Sequence, residues 1–202
     1  SFGADLVLVS AAEGGFIGAI ERAREWAAAR DHVFAPHQFS NEWNVEAHFL
    51  ATGPEIALQL DSLDARPDAF VAGVGTGGTV MGVARALRER HPCLQARPVE
   101  PAESPVLTAG HKTGQHRIQG ISDEFVPEIV DLSELDAPVA VHDGDAILMA
   151  QRTSREMGLG VGISSGANLV AAAMVLENLG SGASVVTVLP DSNKKYLSTD
   201  LF

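Results

Sequence analysis

Residues 71–82 read Val-Ala-Gly-Val-Gly-Thr-Gly-Gly-Thr-Val-Met-Gly, an apolar run, a dense glycine turn and the first residues of a helical pattern. Such a turn between a strand and a helix presents backbone amides to an anion at the helix N-terminus. Three readings of it stand side by side. Gly73-Val-Gly75-Thr-Gly-Gly78 satisfies G-x-G-x-x-G, and Glu100 falls about 20 residues further on, as a dinucleotide fingerprint requires. Thr76 and Thr79 add hydroxyl donors beside Gly77 and Gly78, which suits a compact phosphate monoester instead. A purely structural glycine turn is the third.

Working outward, Ala69–Gly73 is the strand before the turn, and Gly77–Arg90 the helix after it, with Val80, Val83, Ala84 and Leu87 on one face. A strand near Ala96–Glu100 completes a βαβ unit. Leu6–Val9 reads as a buried strand, followed by a helix from Gly15 to Ala29 with Phe16, Ile20, Ala23 and Ala27 at helical spacing. A helical stretch starts at Asn44, and Thr52-Gly-Pro-Glu55 starts another, with Pro54 at its first position. Further on, Val139–Val141 is a strand. Asp143 caps a helix to Met157 that Gly158 ends; Ser164 begins an Ala-rich helix that stops at Gly180; and Ser184–Leu189 is the last strand. Strands alternating with helices predict an α/β fold with a doubly wound, mostly parallel sheet.

Composition narrows the function classes. With 202 residues, 46% of them hydrophobic, the chain can bury a large core. No apolar run approaches the ~18 residues of a membrane span. A net charge of −12 repels nucleic acid and anionic lipid, so neither is an expected partner. The one cysteine, Cys93, excludes an internal disulfide and points to a reducing, cytoplasmic compartment.

Two further constellations are excluded or weak. Gly162-Ile-Ser164-Ser-Gly166 matches the G-x-S-x-G nucleophile elbow, which needs a histidine after the serine. All seven histidines (residues 32, 37, 48, 91, 111, 116 and 142) precede Ser164, so the hydrolase reading fails. A serine pair at a helix N-terminus remains, as a cap or as a ligand's hydrogen-bonding partner. His111 and His116, five apart in a loop without a cysteine cluster or H-E-x-x-H, do not make a metal site.

Taken in order, Gly75-Thr-Gly-Gly-Thr79, Val99-Glu-Pro-Ala-Glu-Ser-Pro-Val106, His116-Arg-Ile-Gln-Gly-Ile121, Gly162-Ile-Ser-Ser-Gly166 and Lys195-Tyr-Leu-Ser-Thr199 resemble the cysteine synthases, the O-acetylserine sulfhydrylases. Glu13–Ile20 and His37–Asn41 also look like that family's middle segment, so the resemblance runs from Ser1 to Phe202. It implies the large domain of a fold-type II pyridoxal 5′-phosphate enzyme over residues 37–202, with a strand–helix remnant of a smaller N-terminal domain over residues 1–36. It implies that Gly75, Thr76, Gly77, Gly78 and Thr79 hold the cofactor's 5′-phosphate. Ser164, with Ser165 the less favoured neighbour, faces the pyridine nitrogen. Gln38 helps bind the substrate carboxylate, Gly120 lies in the loop beside the substrate adduct, and Pro190 passes the cofactor ring. A neutral hydroxyl opposite the ring nitrogen, where other pyridoxal enzymes place a carboxylate, implies a less protonated nitrogen. The implied reaction is β-replacement: a Schiff-base lysine removes the substrate's α-proton, acetate leaves, and sulfide adds to give cysteine. The implied partners are a small amino-acid substrate and sulfide, a second copy in a homodimer, and the C-terminus of serine acetyltransferase.

The sequence departs from the family in two places. None of Lys112, Lys194 and Lys195 lies in the family's Ser-x-Lys context, so no residue here is assigned as the catalytic lysine. The chain is therefore expected to be the later part of a longer protein and inactive by itself. A non-catalytic binding module and an NAD-binding Rossmann domain are the alternatives from other classes. In Ile121-Ser-Asp-Glu-Phe125, the acidic Asp123 and Glu124 replace small residues near the mouth of the family's site. That leaves cystathionine β-synthase-like chemistry open and disfavours an O-phosphoserine substrate, since like charges repel.

Overall fold

The computed structural model describes residues 2–121 and 124–202, so Ser122 and the singled-out Asp123 lie outside the described residues. The chain divides into two compact units, Ser1–His37 and Gln38–Phe202.

In the first unit, a 3₁₀ turn at Ala11–Glu13 leads into helix α1, Gly15–Ala28. Glu13 reaches back to the Ser10 amide at 2.9 Å and accepts from its hydroxyl at 2.7 Å. These bonds, led by the hydroxyl, hold its carboxyl below the usual range. The expected strand at Leu6–Val9 has no partner among the described residues, and Leu6 and Leu8 are each 85% exposed. A strand exists only through its ladder, so an apolar run alone does not make one.

The second unit is built on four parallel strands in the order β3–β2–β1–β4. These are β1 Ala69–Gly73, β2 Gln95–Pro101, β3 Val139–Val141 and β4 Val185–Thr187. Its helices are α2 Trp43–Ala47, α3 Gly53–Ser62, α4 Gly78–Arg88, α5 Val106–Ala109, α6 Asp143–Met157 and α7 Ile163–Leu179. Side chains of β1 alternate between faces. Phe70 and Ala72 join α3 and α4 through Ile56, Leu60, Val80, Val83 and Leu87. Ala69 and Val71 join α6 and α7 through Ala146, Ile147, Ile163, Ala167 and Ala171. Helices thus cover both faces, which is why the β1 sequence is apolar throughout. Fully burying Phe70 alone contributes roughly 1.5–3 kcal/mol. The doubly wound parallel sheet expected from the sequence is the observed architecture.

One helix start is as expected and one differs. Pro54 lies in the first turn of α3, with Thr52 as its N-cap; a π turn at His48–Thr52 joins α2 to α3, and the Gly53 amide donates to the His48 carbonyl. Proline has no amide to give and crowds the preceding turn, and the wider π spacing absorbs both defects. Asp143 is the first residue of α6, and His142 is its N-cap. Gly158, with φ +70°, ends α6 as expected.

Candidate functional site

Strands β1 and β4 run parallel, so their C-terminal ends open on the same edge of the sheet. Asn168 of α7, 1% exposed, ties these ends together. Its Oδ1 accepts from the Gly73 amide at 2.8 Å, and its Nδ2 donates to the Val188 carbonyl at 2.9 Å. Each carries a loop into a helix or helix-facing segment, and the two loops are built differently.

After β1, the chain turns through Val74–Gly77 into α4. Gly77 adopts φ +92°, and a Cβ there would fall 2.1 Å from Val130 Cγ2. A Cβ on Gly75 would fall 2.5 Å from the Gly120 carbonyl oxygen. Only glycine satisfies these two positions. The amides of Gly75, Thr76 and Gly77 make no hydrogen bond to the described residues. They stand open beside the positive end of the α4 dipole.

The hydroxyls of this turn are set by a polar stripe on the helix opposite. Asn44 Nδ2 donates to Thr76 Oγ1 at 2.9 Å and to the Gln38 carbonyl at 2.9 Å. The Gly78 amide also donates to Thr76 Oγ1, at 3.3 Å. With both lone pairs of Thr76 engaged, its proton is left for an outside acceptor. His48 bridges Thr79 Oγ1 at 3.2 Å and Thr52 Oγ1 at 2.9 Å through its two ring nitrogens. Burial lowers the His48 pKa, favouring the neutral ring.

The α7 end is built from side chains. Gly162 is its N-cap, and the Gly162 amide donates to the Asp191 carbonyl at 3.0 Å. Ser164 is buried, and nearby the Tyr196 hydroxyl donates to Asp191 Oδ2 at 2.7 Å. Burial and then the Asp191 carboxylate push the Tyr196 phenol up, with the Ser164 hydroxyl acting against them. Ser165 Oγ is fully buried and has no partner among the described residues.

The residues singled out in the sequence fall into place unevenly. Gly75–Thr79 and Gly120 come together directly, and Gln38 joins them through Asn44. Pro190 precedes Asp191 and so lies in the chain that crosses the start of α7. Ser164 sits at the other strand end, linked to the glycine turn through α7 and Asn168. Glu100 is not free to hold a ribose: it is 1% exposed and accepts from Leu107 N at 2.7 Å, Thr108 N at 3.3 Å and the Thr108 hydroxyl. The dinucleotide alternative therefore loses its acidic residue. Glu124 pairs with Lys112 at 2.8 Å. Among the described residues, no group of three His, Cys, Asp or Glu could hold a metal ion. No helix of the described residues is long and apolar enough to cross a membrane.

Asn44, His48, Asn168, Asp191 and Tyr196 were not singled out by sequence reasoning. Asn44, His48 and Thr52 recur every four residues, a polar stripe that the periodicity carried but that was not read as one. The arrangement as a whole offers open amides and a spare hydroxyl proton to an anion at one strand end. At the other it places the buried hydroxyls of Ser164 and Ser165 at the start of α7.

Comparison with known proteins agrees with this chemistry. The sequence profile described as "Pyridoxal-phosphate dependent enzyme" matches residues 1–191. A cysteine synthase of Staphylococcus aureus is 41% identical over all 202 residues, and the chain spans 64% of that enzyme's length. Among solved structures, a hydrogen sulfide-producing enzyme from Fusobacterium nucleatum is 52% identical with a TM-score of 0.96, over 99% of this chain and 60% of its own. O-acetylserine sulfhydrylase isoform 3 of Entamoeba histolytica is 36% identical with a TM-score of 0.87, over 100% of this chain and 59% of its own.

Proposed function

The chain belongs to the pyridoxal-phosphate-dependent enzyme family, and from that premise we propose that it forms the cofactor-holding part of a cysteine synthase. The reaction is β-replacement, in which O-acetylserine and sulfide give cysteine and acetate. The single observation that carries this reading is the turn with open amides at Gly75–Gly77, where Thr76 has a hydroxyl proton to spare. A phosphate dianion gains from amides, hydroxyls and the helix dipole together. The Gly75 and Gly77 positions admit no side chain, so the cradle stays open to an anion.

In this reading Gly75, Thr76, Gly77, Gly78 and Thr79 hold the 5′-phosphate, and Ser164 faces the pyridine nitrogen. Bound there, pyridoxal phosphate supplies the electron sink that makes the substrate's α-proton acidic and its β-substituent a leaving group. The chain's own residues bind and orient. Gln38, held near Thr76 by Asn44, offers its side-chain amide to the substrate carboxylate. Gly120, with φ +88°, keeps the loop wall thin where substrate and cofactor meet. Pro190 borders the ring. His48, neutral and bonded to Thr79, keeps that hydroxyl in one orientation. A domain split at residues 36–37, a homodimer, a cytoplasmic location and engagement of the C-terminus of serine acetyltransferase belong to the same reading.

A second direction of the same chemistry is favoured by one finding. The Fusobacterium nucleatum relative, at 52% identity, is a hydrogen sulfide-producing enzyme. Release of sulfide from cysteine uses the same cradle and the same α-proton removal. The test is to reconstitute the intact protein with pyridoxal phosphate and follow both reactions. Cysteine formation from O-acetylserine and sulfide, with the visible band of a pyridoxal Schiff base, is the expected result. Faster sulfide release from cysteine than cysteine synthesis would favour the second direction. Absence of the band, or turnover that requires a nicotinamide, would contradict both.

A further inference from the structure

We propose that Phe125 is a positioning residue for the substrate: its ring, together with the backbone of Ile129, holds the Gln38–Phe39 turn at one separation from the glycine cradle. The proposal rests on the reading of Gln38 given above and names what fixes that residue in place.

Residues 38–40 form a turn outside every helix and strand, so neither a ladder nor a helical bond fixes Gln38. Two grips do so instead. On one side Asn44 Nδ2 donates to the Gln38 carbonyl and to Thr76 Oγ1 of the cradle, each at 2.9 Å. On the other, the Phe39 carbonyl accepts from the Ile129 amide at 3.3 Å. There the Phe39 and Phe125 rings also meet edge to face, with centroids 5.4 Å apart and planes at 69°. That contact is directional, because the positive edge of one ring sits on the negative face of the other.

The second grip is anchored where the cradle is. Val130 fills the space that a Gly77 side chain would need, since a Cβ there would fall 2.1 Å from Val130 Cγ2. Ile129 and Val130 are buried in one core cluster with Val74 and Val80, which flank the glycine turn. Four residues further on, the Glu134 carboxylate accepts two bonds from Arg85 of α4, each at 2.8 Å, and its carbonyl accepts from Arg88 at 2.6 Å. The helix whose N-terminus forms the cradle therefore carries the segment that reaches Phe39. Gln38 is placed from both sides by elements that touch the phosphate turn, Thr76 through Asn44 and Gly77 through Val130. An amino acid joined to the cofactor presents its carboxylate and the phosphate at a separation set by covalent bonds. Receptors already fixed at that separation spare the cost of ordering them on binding. Phe125 contributes to this only through Phe39.

The test is a double-substitution cycle between Phe125 and Gln38 in the intact protein. It reads KM for O-acetylserine and for cysteine against kcat, with cofactor affinity and the urea midpoint as controls. Gln38→Ala and Phe125→Ala should each raise KM about tenfold with kcat and cofactor affinity little changed. The two together should raise it no further than Gln38→Ala alone, because Phe125 acts through Gln38. Phe125→Tyr keeps the ring and should restore KM. Phe125→Leu keeps the apolar bulk but loses the ring, so it should raise KM even where Phe125→Ala does not fold. Independently of turnover, hydrogen exchange at the Ile129 amide should quicken in Phe125→Leu, since its acceptor on Phe39 comes loose. Effects that add, a KM unmoved by Phe125→Leu, or unaltered exchange at Ile129 would overturn the positioning role and leave the Gln38 reading standing. A KM unmoved by Gln38→Ala would overturn both.

Discussion

Helices α4 and α7 both begin at a glycine that makes no side-chain cap, at neighbouring ends of one parallel sheet. Their beginnings are nevertheless opposites. The α4 start is made of backbone, with glycines at two positions where a Cβ would overlap its surroundings and amides left open. The α7 start is made of side chains, the buried Ser164 and Ser165 and a Tyr196 hydroxyl that donates to Asp191. A backbone site suits an anion whose charge is fixed. A buried hydroxyl, which can donate or accept, suits a polar atom of either kind. The difference teaches that the two ends of one ligand are recognised by different physics, and it gives the predictions an order.

The sharpest contrast lies in tolerance to substitution. Gly77→Val introduces a side chain at φ +92° and against Val130. Left-handed strain and overpacking together should cost about 2–5 kcal/mol, read from the urea midpoint. Ser164→Ala removes a single buried hydroxyl and should cost at most about 0.5–1.5 kcal/mol. Equal losses would erase the distinction between the ends. Asn168→Ala cuts the link between them, leaving the Gly73 amide and the Val188 carbonyl without their partner. A loss of about 2–3 kcal/mol is expected, with weaker cofactor binding; an unchanged midpoint would mean the ends are positioned independently.

Smaller effects follow at the hydroxyls. Thr76→Val and Thr79→Val each remove a donor to the phosphate, which weakens cofactor affinity by about 1.5–3 kcal/mol. Equilibrium dialysis against pyridoxal phosphate measures this, and unchanged affinity would reduce either threonine to packing. The smallest effect is that of pH on His48, whose pKa in the fold lies below the 6.5 of the free group. The unfolded chain then binds the proton more readily, so no penalty exists above about pH 6.5. Stability falls as pH drops from there through the folded value. His48→Gln should flatten that slope in a pH series of melts, and an unaltered slope would place the pH dependence elsewhere.

How much of this was legible depends on range. Ala69–Gly73 and Val139–Val141 were read with their observed bounds, because strands covered on both faces are apolar runs between turn residues. The glycine turn and Ser164 were found because local composition carries them. Leu6–Val9 looked like a strand for the same local reason, yet no ladder partner is among the described residues. Pro54 was read at a helix start, where it lies, but the π turn at His48–Thr52 that leads into it carries no local signal. Asn44 and Asn168 were not singled out, because each acts on a residue about 30 to 95 positions away. No local pattern encodes which hydroxyl a distant amide will meet.

The central claim is that the Gly75–Thr79 turn recognises a phosphate. It is tested most directly by comparing the affinity of the intact protein for pyridoxal 5′-phosphate and for pyridoxal, before and after Gly75→Ala. The added methyl would sit 2.5 Å from the Gly120 carbonyl oxygen and close the cradle. The account predicts a strong preference for the phosphorylated form that the substitution largely abolishes, with pyridoxal binding little altered. A preference that survives Gly75→Ala intact would contradict it.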